Sequence, residues 1–183
     1  REVDIDALWK RAQPAIEAEL ERYHGPVTRS VLEGDGYLRH IAGGYMGRRF
    51  QIYLELLGPP NQVHTRSYKD DYFIVLTPSA EPRTADIRHA YLHFLLDPLA
   101  TKYAEEIRKG ISLTDYAQGA PALDLIYKDD FLLLATESLI KAVEARMDRN
   151  PDTVAEALKE GFILAPFFAE QLVRYEKQES AMR

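Results

Sequence analysis

The amino-acid sequence predicts an α+β fold, in which a small sheet is followed by a helical half. Three observations lead to this prediction. Apolar residues recur at helical spacing near the N-terminus, apolar and polar residues alternate in one block before residue 78, and helical periodicity resumes from residue 85. Strands grouped in one block, rather than alternating with helices, are typical of α+β proteins.

The chain length suits one compact domain. With 183 residues, of which 46% are hydrophobic, the chain can bury one sizeable core, whereas two domains would be cramped. We therefore predict a single domain over residues 1–183. It would comprise an N-terminal helical segment (1–46), a sheet (47–77) and a helical half (85–183).

Composition excludes several classes of function. The net charge is −6 and no basic cluster is present, which argues against nucleic-acid binding. No apolar run approaches the roughly 20 residues needed to span a bilayer. The chain contains no cysteine, so a transition-metal site would have to use histidines and carboxylates. Because the chain begins at Arg1 rather than Met, a removed signal peptide and export are one open interpretation.

The elements are predicted in chain order. Residues 4–23 have helical periodicity, and Pro14 is expected to kink or split that helix. Residues 48–57 and 71–77 are predicted strands, with a more polar strand at 62–67 between them. We expect an antiparallel meander of about three strands. Separately, the apolar character of 71–77 favours a central place in the sheet. Helices follow at 85–96, from Pro98 to about 109, and at 131–147, 152–159 and 166–178.

Two histidines on the first of these later helices carry the main functional signal. His89 and His93 are four residues apart, so their imidazoles project from the same helix face one turn apart. Two neutral imidazoles in this arrangement supply half of a tetrahedral zinc site. The pair also sits on an apolar helix that comes directly after an apolar strand and a loop.

This stretch resembles the His-Glu-x-x-His motif of zincin-like zinc metallopeptidases, with Ala90 at the position of the glutamate. The resemblance covers about residues 71–97 and is specific at the two histidines. It implies a zincin-like fold, a zinc cofactor and hydrolysis of a peptide bond. In active zincins the glutamate is the general base, and alanine cannot take up a proton. The resemblance therefore implies either a peptidase or its inactivated form.

A third metal ligand is predicted from the later helices. In gluzincin-type peptidases it is a glutamate, and Glu137 is our first choice because it follows the apolar run of residues 131–135. A carboxylate there is costly to bury unless it is paired or bound to a metal. Glu144 is the reserve. Asp97 is a rival, although Asp97-Pro98 is more simply explained as an N-cap followed by proline at the first helical position.

The alanine at position 90 has three interpretations that the sequence does not separate. It is an engineered inactivation, or it is a natural feature of a pseudo-enzyme. In the third interpretation, another carboxylate enters the site and takes the place of the missing glutamate. For the last case the nearest candidates are Glu81, Asp86 and Glu144.

The resemblance also implies a place for the substrate. In zincins an extended peptide pairs with an edge strand beside the metal-binding helix, so His64 and Arg66 are candidate substrate-binding residues. Tyr68, Tyr72 and Tyr91 are candidate donors to an oxyanion. We include Tyr68 among the candidate substrate-binding residues. The simpler explanation for the two strand residues is that polar side chains commonly mark a sheet edge.

Two hypotheses on function follow. The first is a zinc metallopeptidase-like domain that acts on, or binds, a peptide or protein. The alternative is a non-catalytic protein-interaction domain on the same scaffold, which Ala90 favours. Substrate, oligomeric state and compartment stay open.

Overall fold

The computed structural model describes residues 4–40 and 47–182, and it confirms an α+β architecture. In order, the elements are α1 Ile5–Leu38, β1 Arg49–Leu54, β2 Val63–Tyr68, β3 Asp71–Leu76, α2 Thr84–Lys102, α3 Ala104–Arg108, a 3₁₀ turn at Ile111–Leu113, α4 Thr114–Gln118, α5 Leu125–Asp129, α6 Phe131–Met147, α7 Asp152–Glu160 and α8 Ala165–Glu176. None of the helices in the described part of the chain has the length and hydropathy required to cross a membrane.

The first helix is longer than predicted and is not split at Pro14. Helix α1 runs through both Pro14 and Pro26 to Leu38. Its later turns are fastened to the sheet and the following loop, since the Tyr23 hydroxyl hydrogen-bonds with Ser79 Oγ at 2.9 Å. A proline removes only one backbone donor, so a helix anchored elsewhere can continue past it.

The sheet has the predicted central strand, but it is mixed rather than antiparallel. Its order is β1-β3-β2, with β2 antiparallel to β3 and β1 parallel to β3. The predicted meander is therefore wrong. Strand β3 has apolar residues on both faces and gains backbone partners on both edges from the central place. The connection over residues 55–62 is long enough to pass β3, since two strand spacings amount to only about 10 Å.

The described residues divide into two compact units. The first comprises the chain up to residue 35 together with 47–91, and the second comprises 36–40 and 92–182. In the first unit the core includes Ile74, Leu76 and Ile87, all at most 2% exposed. In the second, Leu134 and Ala165 lie at the centre of an apolar cluster built from several helices. The boundary between residues 91 and 92 falls within α2, which is one continuous helix.

Candidate metal centre

Helix α2 carries both predicted histidines and does not end where the sequence suggested. It continues from Thr84 to Lys102 through Pro98. Asp97 is thus not an N-cap, and that interpretation is wrong. Buried leucines on both sides of the proline, among them Leu96 and Leu99, are held in the core and keep the helix intact. The side chain of Asp97 instead points back one turn to His93, with Oδ1 2.9 Å from Nδ1.

The three predicted metal ligands are brought together. His89 and His93 lie one turn apart on α2, and Glu137 lies on α6. Each offers one ligand atom, and these atoms lie within 4.8 Å of one another. The group could therefore hold a metal ion. Because one helix carries both imidazoles, the position of His89 relative to His93 follows from helix geometry.

Helix α6 presents Glu137 from a buried position. The helix begins at Phe131, and Asp130 caps it by accepting hydrogen bonds from the backbone N–H groups of Leu132 and Leu133. Two turns into the helix, Glu137 is only 3% exposed. Its Oε2 atom lies 3.2 Å from Nε2 of His93. A buried carboxylate this close to an imidazole fits the sequence argument that Glu137 needs a cation nearby.

His93 is positioned between two carboxylates. Asp97 contacts Nδ1 and Glu137 contacts Nε2. Burial works to lower the pKa of His93, but the hydrogen bonds to Asp97 and Glu137 outweigh it and raise the pKa to about 9. Without a metal the ring is thus a cation at neutral pH, and it forms an ion pair with each carboxylate.

Glu137 has a second cationic neighbour. Lys141, one turn later on α6, has Nζ 3.8 Å from Oε1 of Glu137 and 3.5 Å from Oε2 of Glu160. The same ammonium lies 4.6 Å from the centre of the Phe162 ring. The phenol of Tyr127 is also close enough to respond, since burial and the charge of Glu137 raise its pKa to about 12. The carboxylate of Glu137 thus lies close to two basic side chains, His93 and Lys141.

Two of the alternative residues, Asp97 and Asp86, have other contacts. Within residues 4–40 and 47–182, only His89, His93 and Glu137 form a group of this kind. Asp97 is the hydrogen-bond partner of a ligand. Asp86 pairs with Arg83 at 2.5 Å in the first turn of α2. Ala90 is 2% exposed and follows His89 directly.

The predicted substrate-binding residues share one face of an edge strand. His64, Arg66 and Tyr68 alternate along β2, which pairs with β3 alone among the strands of the described residues. All three side chains are exposed, and Nε2 of His64 lies 2.8 Å from Oε1 of Gln62. Their role in binding a substrate stays a prediction.

Sequence reasoning missed two contacts of the centre. The contact between Asp97 and His93 had a signal, because the two residues are four apart on a helix, but Asp97-Pro98 also has the pattern of a helix start. The contact between Lys141 and Glu137 has the same spacing and is equally common among exposed helical pairs.

Comparisons of this chain with protein-family models, with curated proteins and with solved structures found no match.

Proposed function

We propose that this chain is a zinc-binding, zincin-like domain in which His89, His93 and Glu137 hold the metal and Ala90 disables hydrolysis. The observation that supports this most directly is the convergence of three ligand atoms within 4.8 Å. Two imidazoles and a buried carboxylate match the donor set of several zinc enzymes.

The residues around the three ligands fit a metal as well. Metal-binding histidines commonly donate their second ring N–H to a carboxylate, which fixes the ring and raises its basicity. Asp97 is placed to do this at Nδ1 of His93, and Nε2 is then directed towards Glu137. When bound, zinc would supply Lewis acidity.

The residue after His89 decides between catalysis and binding. Ala90 cannot accept or pass on a proton, and loss of a general base costs about 10²–10⁴ in rate. Among the other carboxylates, Asp86 is engaged by Arg83. We therefore expect the domain to bind an extended peptide or protein segment, with its backbone added to the open edge of β2, and to hydrolyse it slowly or not at all.

A second candidate function is an interaction domain that holds no metal. It is favoured by the contacts of His93, which pairs with Asp97 at 2.9 Å and with Glu137 at 3.2 Å without an ion. The two candidates share the peptide partner and differ in the cofactor.

Zinc titration of metal-free protein by isothermal calorimetry separates them. The proposal predicts one zinc per chain with a dissociation constant in the micromolar range or tighter, and at least about 100-fold weaker binding in His89→Ala and in His93→Ala. His64→Ala is the matched control, because it removes an exposed histidine from β2 and should leave affinity unchanged. Absence of saturable binding, or equal loss in the control, would contradict the metal centre.

The Ala90→Glu variant tests the peptidase half of the proposal. If the scaffold is that of a disabled peptidase, the variant should cleave members of a peptide library at a rate at least about 10²-fold above that of the unsubstituted chain. Circular dichroism and zinc stoichiometry control for folding, since Ala90 is buried. A folded variant that holds zinc and cleaves nothing would leave a metal-containing binding domain.

A further inference from the structure

A cleft of about 580 Å³ lies in the second unit, outside the proposed metal centre. It is lined by Tyr37 of α1, the last turn of α6, residues 149–151, and parts of α7 and α8. Sites for small organic ligands typically measure about 300–1,000 Å³, so the cleft has the size of a binding site.

One wall of the cleft consists of Arg146, Glu176 and Tyr37, which form hydrogen bonds with one another. The Arg146 guanidinium donates from Nε to Oε1 of Glu176 at 2.8 Å, and a second donor, Nη2, contacts Oε2. The Tyr37 hydroxyl donates to the same Oε1 at 2.9 Å. Burial raises the pKa of Tyr37, so its phenol stays neutral. Together these three residues carry no net charge and hold one another in place.

Arg149 adds an unbalanced positive charge to this lining. It follows α6 with φ at 53°, where its N–H bonds to the carbonyl of Arg146 at 3.2 Å. Its side chain is exposed, and across residues 4–40 and 47–182 it makes no ion pair. The neighbouring Asn150 uses Oδ1 to accept a hydrogen bond from the backbone N–H of Asp152 at 3.1 Å.

The remaining lining is apolar. Pro151, Val154 and Ala169 contribute hydrocarbon surface to the cleft. The charges of Arg146 and Glu176 cancel each other. The net charge of the residues that line the cleft is therefore +1, from Arg149. A ligand matched to this surface has a single negative charge at one end and an apolar body.

We propose that this cleft binds a small organic monocarboxylate, with its carboxylate on the Arg149 guanidinium and its apolar body against Val154 and Ala169. A guanidinium pairs with a carboxylate through two parallel hydrogen bonds, which a neutral amide cannot reproduce. The proposal is independent of zinc at the histidine centre.

The test uses 2-naphthoate as the probe and 2-naphthamide as its uncharged counterpart. The 183-residue chain is used free of metal, so that zinc cannot bind the carboxylate. Titration followed by methyl NMR should give a dissociation constant on the order of 1 mM for the acid, with saturable shifts at Val154 and Ala169. The amide should bind at least about 10-fold more weakly. Equal binding of both probes, or shifts confined to other methyl groups, would overturn the proposal.

Two variants complete the test. Arg149→Gly removes the guanidinium and places glycine where φ is positive. The midpoint of thermal unfolding should therefore be unchanged or higher, because glycine adopts this conformation without strain. The affinity for naphthoate should fall at least about 10-fold. Arg174→Ala removes an exposed arginine from α8 and should change affinity less than about 2-fold. Retained affinity in folded Arg149→Gly, or an equal loss in both variants, means that the carboxylate is not bound here.

Discussion

The carboxylate of Asp97 accepts a hydrogen bond from His93 at 2.9 Å and thereby selects which ring nitrogen faces Glu137. Asp97→Asn keeps the size of the side chain but removes its charge. We expect zinc affinity, measured by calorimetry, to fall about 10- to 100-fold, as is usual when the partner of a metal-binding histidine is changed.

The control for this prediction is Asp115→Asn, which removes the same charge from an exposed site on α4. If Asp97→Asn and Asp115→Asn bind zinc as tightly as the natural chain, Asp97 does not support the centre. A fall of the same size in both would indicate a general effect of net charge.

Glu176 provides a pH-dependent contribution to stability. Hydrogen bonding from Arg146 lowers the pKa of Glu176 below its usual 4.5, although burial opposes the shift. A carboxylate with a lowered folded-state pKa stabilises the fold above its unfolded pKa and loses that contribution as the pH falls through the folded value. Because the pair is partly exposed, we expect Glu176→Gln to cost only about 1 kcal/mol at pH 7.

The free energy of unfolding in urea, compared between the natural chain and Glu176→Gln, checks this contribution. The difference should be constant above about pH 5.5 and shrink below pH 4.5. Glu179→Gln, an exposed neighbour, is the control. A difference that does not vary with pH would mean that shape rather than charge is responsible.

At the scale of residues, the sequence predicted which three side chains come together, but not the contact that Asp97 makes with one of them. His89 and His93 followed from their spacing, and Glu137 followed from the cost of a carboxylate next to an apolar run. The sequence could not show whether Asp97 begins a helix or lies inside one. Aspartate before proline is typical of a helix start, and here the helix continues because the leucines on both sides of Pro98 are buried.

At the scale of elements, Gly161 fixes how α7 ends. Its φ is 115°, a conformation that side chains rarely adopt, and a Cβ atom there would lie 2.6 Å from Cβ of Ala120. We expect Gly161→Ala to destabilise the protein by about 2–4 kcal/mol through backbone strain and overpacking together.

Gly119→Ala is a matched control for this prediction. Gly119 ends α4 with φ at −76°, and no atom would lie within 4 Å of a Cβ atom there. Its substitution should change the unfolding free energy by less than about 0.5 kcal/mol. Similar costs at both positions, measured by urea denaturation, would contradict the role of Gly161.

Strand β3 shows how far elements could be predicted. Its apolar character on both faces correctly indicated the central place in the sheet. Alternation of residues does not encode whether neighbouring strands run parallel, however, and the parallel pairing of β1 depends on the path of the connection. The same limit applies to α1, since the anchoring of its later turns overrides the helix-breaking tendency of Pro14 and Pro26.

At the scale of the whole molecule, two helices are shared between the compact units. Helix α1 contributes its last residues to the second unit, and α2 changes unit between residues 91 and 92. A helix melts cooperatively, because its hydrogen bonds form along one continuous ladder. Loss of either helix should therefore remove part of both units at once. On this argument we predict that the two units unfold together.

Leu92→Ala tests that coupling. Leu92 is 0% exposed on α2 and belongs to the second unit, so its truncation should cost about 2–5 kcal/mol. If the chain unfolds as one domain, native-state hydrogen exchange should accelerate by the same factor for the slowest amides of β3, in the first unit, and of α6, in the second. Acceleration limited to α6 would mean that the two units unfold independently and that residues 1–183 are not one cooperative domain.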